Sequence, residues 1–424
     1  MPLYHIWTMG CQMNKADSER LSAELEKRGL REAPSLEASD LIVLNSCSVR
    51  QSAENRVASK IGSLKSLKTR NPGVVIALMG CMVNGRTDEL KRRFPHVDVY
   101  CRPQEFDPIL EAMEDRSDGL CRADGTLVPL VHSQVAAYVP IIQGCDNFCS
   151  YCIVPYRRGR ERSRPMEEVV CEVAGLVGRG VKEVTLLGQN VDSFGHDLPG
   201  KPDLADLLGV MEKVAGLVRF RFLTSHPNDM SQKLLETIGR LSKICPHVNL
   251  PVQSGDDEML LAMRRGYTVE HYRDLIRRMR EAIPTVSLST DVIVGFPGES
   301  EARFQRTYDL LEHIRFDAVH VAAYSPRPGT SAARLPDDVP AEEKKRRLAA
   351  VESLQERVVG EINGELLNTT AEVLVEERRK GKWSGRTKSN KLVFSADDGD
   401  FGGRLVRVII ENTSPWSLQG RIMA

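Results

Sequence analysis

Gly144-Cys145-Asp146-Asn147-Phe148-Cys149-Ser150-Tyr151-Cys152 is the stretch that decides how the rest of this 424-residue chain reads. Its thiols are spaced CxxxCxxC and follow an apolar run at residues 136–142 that reads as a strand. No neighbour completes a closed four-coordinate zinc site, since His132 precedes the strand and the next histidine is His196. Three thiolates leave one metal position open, as a cluster needs if it is to bind a substrate or cofactor directly.

Downstream, strand-like runs recur at 183–187, 218–223, 247–252, 286–294 and 317–323, with helix-like stretches between them. With 136–142 these make six βα units, two short of a closed eightfold barrel. The expected architecture is a partial, open (βα)6 barrel with its site at the strand C-termini. Leu187-Gly188-Gln189-Asn190 ends the second strand, and Asp291-Val292-Ile293-Val294-Gly295 ends the fifth. Gly295 permits close backbone approach, and Gln189, Asn190 and Asp291 offer hydrogen bonds to an amino group or ribose. These four are the candidate cofactor contacts, although ordinary strand-end turns use the same residue types.

Upstream, a strand-turn-helix unit recurs three times, with strands at 3–8, 41–44 and 74–79 and helices at 17–28 and 52–67. Each strand is followed by one cysteine, Cys11, Cys47 or Cys81, in a polar or glycine-flanked turn. In an open parallel sheet the loops after the strand C-termini share one edge, so three cysteines distant in sequence can meet there. Two triplets thus suggest two open iron-sulfur clusters. Free cysteine is also a common small buried residue, which is the competing reading of the dispersed three.

The stretch 114–135 lacks periodicity and reads as a connector. Residues 336–366 are charged and helix-like. From Thr370 the pattern changes to short alternating strands at 371–375, 392–394 and 404–410, a small β-barrel. The fold class is therefore α/β: an open parallel sheet domain over 1–118, a partial barrel over 131–361 and a small β-barrel over 364–424.

Hydrophobic content of 41% with 27% charged residues suits a soluble globular protein, and no apolar run suggests a membrane span. The N-terminus lacks the features of a signal peptide, so the ten cysteines are expected as ligands or free thiols in a reducing, cytoplasmic setting. A formal net charge of zero argues against a globally basic nucleic-acid binder. Local patches remain. Arg157, Arg158, Arg160, Arg162 and Arg164 can reach phosphates or a carboxylate, and Arg378, Arg379, Lys380, Lys382, Arg386, Lys388 and Lys391 interleave with Trp383 as single-stranded RNA favours. Arg160, Arg164, Arg379, Lys382, Arg386 and Lys388 are the candidate RNA contacts.

The CxxxCxxC loop after the first barrel strand resembles the radical S-adenosylmethionine (SAM) superfamily. Gly10-Cys11-Gln12-Met13-Asn14, Asn45-Ser46-Cys47-Ser48-Val49-Arg50, Gly80-Cys81-Met82-Val83 and Tyr156-Arg157-Arg158-Gly159-Arg160-Glu161-Arg162-Ser163-Arg164 narrow this to the methylthiotransferases, over essentially the whole chain. The resemblance implies two 4Fe-4S clusters. One sits on Cys145, Cys149 and Cys152, where an open iron chelates SAM and electron transfer yields a 5′-deoxyadenosyl radical. The other is an auxiliary cluster on Cys11, Cys47 and Cys81 that presents sulfur. It also implies a terminal TRAM domain that binds RNA, tRNA as partner, and a reductant such as flavodoxin or ferredoxin; a monomer is expected. The local motifs look like the branch that methylthiolates C2 of N6-dimethylallyladenosine beside the anticodon. Methylthiolation of threonylcarbamoyladenosine or of a ribosomal-protein aspartate, and a non-enzymatic iron-sulfur RNA-binding sensor, stand as alternatives.

Overall fold

The computed structural model describes residues 1–48, 51–83, 87–114 and 135–423. The first unit is a five-stranded, all-parallel sheet of order β2-β1-β3-β4-β5, made of β1 (Leu3–Thr8), β2 (Arg31–Glu32), β3 (Leu41–Ser46), β4 (Val75–Gly80) and β5 (Val99–Cys101). Helices α1 (Gln12–Lys27), α2 (Gln51–Arg70), α3 (Thr87–Arg93) and α4 (Asp107–Glu114) accompany it. β3 and β4 are buried along their whole length, as parallel strands covered on both faces must be. Leu41, Val43, Ala77 and Met79 face one core with Leu21 and Leu25 of α1, while Ile42, Leu44, Ile76 and Leu78 face another with Val57 and Ile61 of α2. Residues 115–134, most of the expected connector, lie outside the described residues.

The central unit begins with β6 (Ala136–Pro140) and a short antiparallel pair, β7 (Ile142–Gln143) with β8 (Arg162–Ser163), that brackets the cysteine loop. β6 joins β9 (Glu183–Leu187) and β10 (Arg219–Phe222) in one parallel sheet; β11 (His247–Asn249), β12 (Ser287–Val294) and β13 (Ala318–Ala323) form another. A parallel bridge between Phe220 and Ile244 links the two sheets, and among the described residues β6 and β13 do not pair with each other. The barrel is open, as six units require. Around it run α5 (Val154–Arg158), α6 (Met166–Gly178), α7 (Leu204–Met211), α8 (Gln232–Arg240), α9 (Asp257–Ala262), α10 (Val269–Ala282), α11 (Glu301–Ile314) and α12 (Ala341–Gly364). Val184, Leu186, Phe220, Phe222, Val248, Leu288 and Val292 pack in one large core. The alternating residues Glu183, Thr185, Arg219, Arg221, His247 and Ser289 are polar yet buried, so the opposite side of these strands is a polar interior.

The terminal unit is a closed barrel of order β14-β15-β16-β18-β17, from β14 (Thr370–Arg379), β15 (Lys382–Thr387), β16 (Leu392–Ser395), β17 (Leu405–Thr413) and β18 (Leu418–Ile422). It sits against the N-terminal ends of the central strands. Arg219 Nη2 donates to the Arg386 carbonyl at 2.9 Å, Lys388 Nζ to the Ser242 carbonyl at 3.1 Å, and Lys391 Nζ to Asp317 Oδ1 at 2.9 Å. Beneath this seam Glu183 takes both Arg219 Nε and Arg221 Nε. Burial pushes the Glu183 carboxyl up, but Arg221 and Arg219 outweigh it and hold it below its ordinary value.

At the other end α1 lies across the mouth of the central barrel. Met13 and Ala16 pack on Leu187, with Tyr138 and Leu223 beside them. The loops of the dispersed cysteines are thereby brought to the edge that carries the compact ones.

Candidate metal centres

The compact triplet is shaped by local backbone. Cys145 N–H donates to the Gly159 carbonyl at 3.2 Å and Cys152 N–H to the Cys149 carbonyl at 3.0 Å. Phe148 adopts φ +46°, a left-handed turn that costs a non-glycine residue about 1–2 kcal/mol and folds the loop back on itself. Ser150 N–H reaches the Met263 carbonyl at 3.0 Å and Ser150 Oγ the Ala262 carbonyl at 2.8 Å, pinning the loop to the end of α9. Burial pushes the Cys145 thiol up to about 11 and the Cys152 thiol up to about 12, and the neighbouring cysteines add to both rises. Without a metal these thiols hold their protons; binding iron displaces them.

The dispersed triplet depends on the sheet. Cys11 is the N-cap residue of α1, where a thiolate meets the positive end of the helix dipole. Cys47 and Cys81 follow β3 and β4 and are both 5% exposed. Gly10 has φ +149°, and a Cβ there would lie 2.9 Å from the Cys47 Cβ, so only glycine lets the first loop approach the second. Gly80, with φ +102°, likewise has no room for a Cβ beside the Ser46 backbone. A buried polar network fixes the approach: Asn14 Nδ2 donates to Asn45 Oδ1 at 2.8 Å and to the Ser46 carbonyl at 2.9 Å, while Asn45 Nδ2 reaches the Asn14 carbonyl at 2.7 Å and Ser18 Oγ at 2.9 Å. Burial pushes the Cys81 thiol up to about 11; Cys47 and Cys11 add to the rise, and Arg158 opposes it.

The donor chemistry fits clusters. Among the described residues no three His, Cys, Asp or Glu side chains converge on a point that would hold a single metal ion. A four-iron cluster takes its thiolates on separate irons, so they need not crowd one point. Each triplet also receives one buried guanidinium. Arg265 Nη1 donates to Cys149 Sγ and Arg158 Nε to Cys81 Sγ, both at 3.2 Å. Arg265 is held in turn by Tyr267 Oη at 3.0 Å and the Pro251 carbonyl at 3.2 Å.

Between the triplets runs open space. A cavity of about 550 Å³ is lined by Tyr151, Cys152, Ile153, Asp291, His320 and Arg327, among others. A second, of about 250 Å³, is lined by Ser48, Met82, Ile153, Arg157 and Arg327. Ile153 and Arg327 border both, which joins the Cys152 side of the barrel to the loops of Cys47 and Cys81.

Of the candidate cofactor contacts, Asp291 lines the larger cavity, while Gln189, Asn190 and Gly295 follow the C-terminal ends of β9 and β12. Gln189 Oε1 and Asn190 Oδ1 are buried acceptors with no hydrogen-bond partner, while Asn190 Nδ2 donates to Asp229 Oδ2 at 2.6 Å. Asp291 lines the larger cavity and accepts from Asn249 Nδ2 at 3.1 Å. Gly295 N–H donates to Glu299 Oε2 at 2.5 Å, and its α-carbon lies against the Lys344 stem. The RNA candidates scatter. Arg160 pairs with Asp146 at 2.9 Å, and Arg164 joins buried Glu172 at 2.7 Å and the Pro140 carbonyl at 2.9 Å. Arg379 and Lys382 flank the exposed turn between β14 and β15. Arg386 caps the Asn390 carbonyl at 3.1 Å, and its own backbone, like Lys388, belongs to the seam with the central barrel.

An open six-stranded barrel with a CxxxCxxC loop after its first strand defines a radical SAM protein, and the profile of the Radical SAM superfamily matches residues 139–311. That of Uncharacterized protein family UPF0004 matches residues 3–102. A solved radical S-adenosylmethionine methyltransferase from Kitasatospora setae shares the fold with a TM-score of 0.58 at 14% identity, over 78% of this chain and 75% of that one. The chain is 52% identical over 424 residues to a tRNA-2-methylthio-N(6)-dimethylallyladenosine synthase of Dehalococcoides mccartyi (strain CBDB1), covering 100% of this chain and 99% of the relative. It is 44% identical over 436 residues to the synthase of the same name from Dictyoglomus thermophilum, covering 100% and 99%. The chain belongs to the radical SAM methylthiotransferase family of the tRNA-2-methylthio-N(6)-dimethylallyladenosine synthases.

Proposed function

We propose that this chain is a tRNA methylthiotransferase that places a methylthio group on C2 of N6-dimethylallyladenosine beside the anticodon. The observation that carries the reading is the meeting of the two thiol triplets across one mouth, joined by the cavities that share Ile153 and Arg327. Residues 1–118 hold the dispersed site, 131–361 the compact site, and 364–424 an RNA-binding module. Cys145, Cys149 and Cys152 would carry the 4Fe-4S cluster that binds SAM, and Cys11, Cys47 and Cys81 the auxiliary one. When bound, these groups supply the electron that cleaves SAM and the sulfur that is transferred.

An aromatic C–H bond at adenine C2 is too inert for a His or Glu base, so the protein's own task is placement and exclusion of water. Gln189 and Asn190 offer free acceptors to the SAM amino group, and Asp291 offers a carboxylate within the cavity. The apolar wall of Ile153, Val154, Val321 and Leu348 suits a prenyl group on the flipped base. A flavodoxin or ferredoxin would supply electrons, and the setting is cytoplasmic, with a monomer as the working unit. Among the described residues no helix is long and apolar enough to cross a membrane.

The test is turnover by the anaerobically reconstituted full chain. Transfer RNA bearing dimethylallyladenosine should gain the methylthio group, unmodified tRNA little, and a ribosomal-protein peptide none. Turnover of threonylcarbamoyladenosine tRNA or of the peptide with the prenylated tRNA inert would overturn the substrate. Absence of 5′-deoxyadenosine with every substrate would overturn the enzyme.

A further inference from the structure

Arg158 closes α5, the helix that leaves the compact triplet, yet its guanidinium lies in the dispersed site. Nε donates to Cys81 Sγ at 3.2 Å and Nη2 to Asp17 Oδ2 at 3.1 Å, across 77 and 141 residues of sequence. The pair is sealed from solvent, with side-chain exposures of 3% for Arg158 and 0% for Asp17. Asp17 is held by Gln104, whose Nε2 donates to Oδ1 at 3.0 Å. Arg158 Nη1 is buried with no hydrogen-bond partner. The chain thus places a fixed, dry N–H donor on one cysteine of the N-terminal domain, and that donor comes from the barrel domain.

Adding an electron to a cluster concentrates negative charge on its sulfurs. An N–H directed at a ligating sulfur then binds more strongly, and in a dry site the gain is not screened. Asp17 opposes this effect, because its carboxylate offsets the guanidinium charge and leaves the directed N–H dipole as the net contribution.

We propose that Arg158 is a positioning residue of the auxiliary cluster, one that raises its reduction potential through Cys81, with Asp17 as the counterweight. The dispersed site is then electrostatically complete only when the barrel domain is docked on it. This rests on the reading that Cys11, Cys47 and Cys81 hold a 4Fe-4S cluster. Arg265 on Cys149 repeats the arrangement within the barrel domain, so a buried guanidinium on one thiolate is common to both sites.

The experiment uses the full chain with Cys145→Ala, Cys149→Ala and Cys152→Ala, so that only the dispersed site loads, with about four irons per chain. The midpoint potential is then read by titration followed by electron paramagnetic resonance. Arg158→Gln should shift it down, Asp17→Asn should shift it up, Arg158→Lys should lie between wild type and Gln, and exposed Arg162→Gln should leave it unchanged. Normal iron content with an unchanged midpoint, or both variants moving it the same way, would overturn the proposal. So would Arg158→Gln losing iron while Arg158→Lys keeps both iron and midpoint, since Arg158 would then be only a strut. A parent chain that takes up no iron would instead overturn the cluster reading itself.

Discussion

The two thiol sites solve the same problem by opposite routes. The compact site is written into one loop, with backbone bonds from Cys145 to Gly159 and from Cys152 to Cys149 and a short β7–β8 pair at its base. Closing so short a segment costs little chain entropy. The dispersed site draws one thiol from each of three βα turns and exists only while the parallel sheet holds β1, β3 and β4 in register. Its accuracy is set by Asn14 and Asn45, two buried amides that bond each other across the sheet edge. A local site tolerates a loosened domain; a non-local one fails with it.

The sharpest break comes from the cysteines themselves. Of about eight irons in the reconstituted chain, Cys149→Ala should lose roughly half and abolish SAM cleavage. Cys11→Ala should lose the other half, keep SAM cleavage and lose methylthiolation. Iron and 5′-deoxyadenosine assays on the two variants read this directly, and equal loss from both would erase the distinction drawn above.

Next in size is Asn45→Ala. It removes the bonds that Asn45 makes with the Asn14 amide, the Asn14 carbonyl and Ser18 Oγ inside a buried network, a cost of about 1–3 kcal/mol. Denaturant titration should show that loss, and iron should be depleted from the dispersed site while SAM cleavage persists. A variant that sheds compact-site iron first would contradict the contrast.

Acidity sharpens it further. Burial pushes the Glu19 carboxyl on α1 up to about 7, with Lys15 opposing, and pushes the Asp192 carboxyl at the barrel mouth up to about 8, against hydrogen bonds from His226 N–H and Ser225 Oγ. Both are raised, so the folded chain keeps protons that the unfolded chain releases. The stability they contribute is full below the ordinary carboxylate range and is lost as pH rises through about 7 for Glu19 and about 8 for Asp192. Each can add a slope of up to about 1.4 kcal/mol per pH unit. Asp192→Asn should flatten the decline; urea midpoints that fall with pH as steeply as in wild type would refute this assignment.

The smallest effect is expected in the terminal barrel. Arg379→Ala and Lys382→Ala, at an exposed turn, should each weaken tRNA binding and lower its salt slope by about 1. The slope should not move for Lys388→Ala, because Lys388 is engaged with the Ser242 carbonyl.

Much of this was legible in residue order. The β1 strand coincides with the expected 3–8 and β9 with 183–187, because apolar periodicity there answers directly to burial. Helix α1 starts at Gln12 rather than at 17, since Asn14 and Asp17 are polar residues buried by tertiary partners and mask the helical pattern. β15 and β18 were not readable: Lys-Trp-Ser-Gly-Arg-Thr and Leu-Gln-Gly-Arg-Ile carry too few apolar residues to signal a strand outside a closed barrel. The roles of Arg158 and Arg265 were hidden because their sulfur partners lie 77 and 116 residues away. A run of arginines gives no sign of which one turns inward.

Helix α12 starts at the mouth, where Lys344 lies against Gly295, and ends at the terminal barrel, where Asn363 Nδ2 holds the Ser414 carbonyl at 2.8 Å. Its 24 residues make a rod of about 36 Å. That rod works as a ruler. It sets the separation between the mouth and the terminal barrel at about its own length, so the helix that fastens the last domain in place also fixes how far that domain stands from the mouth.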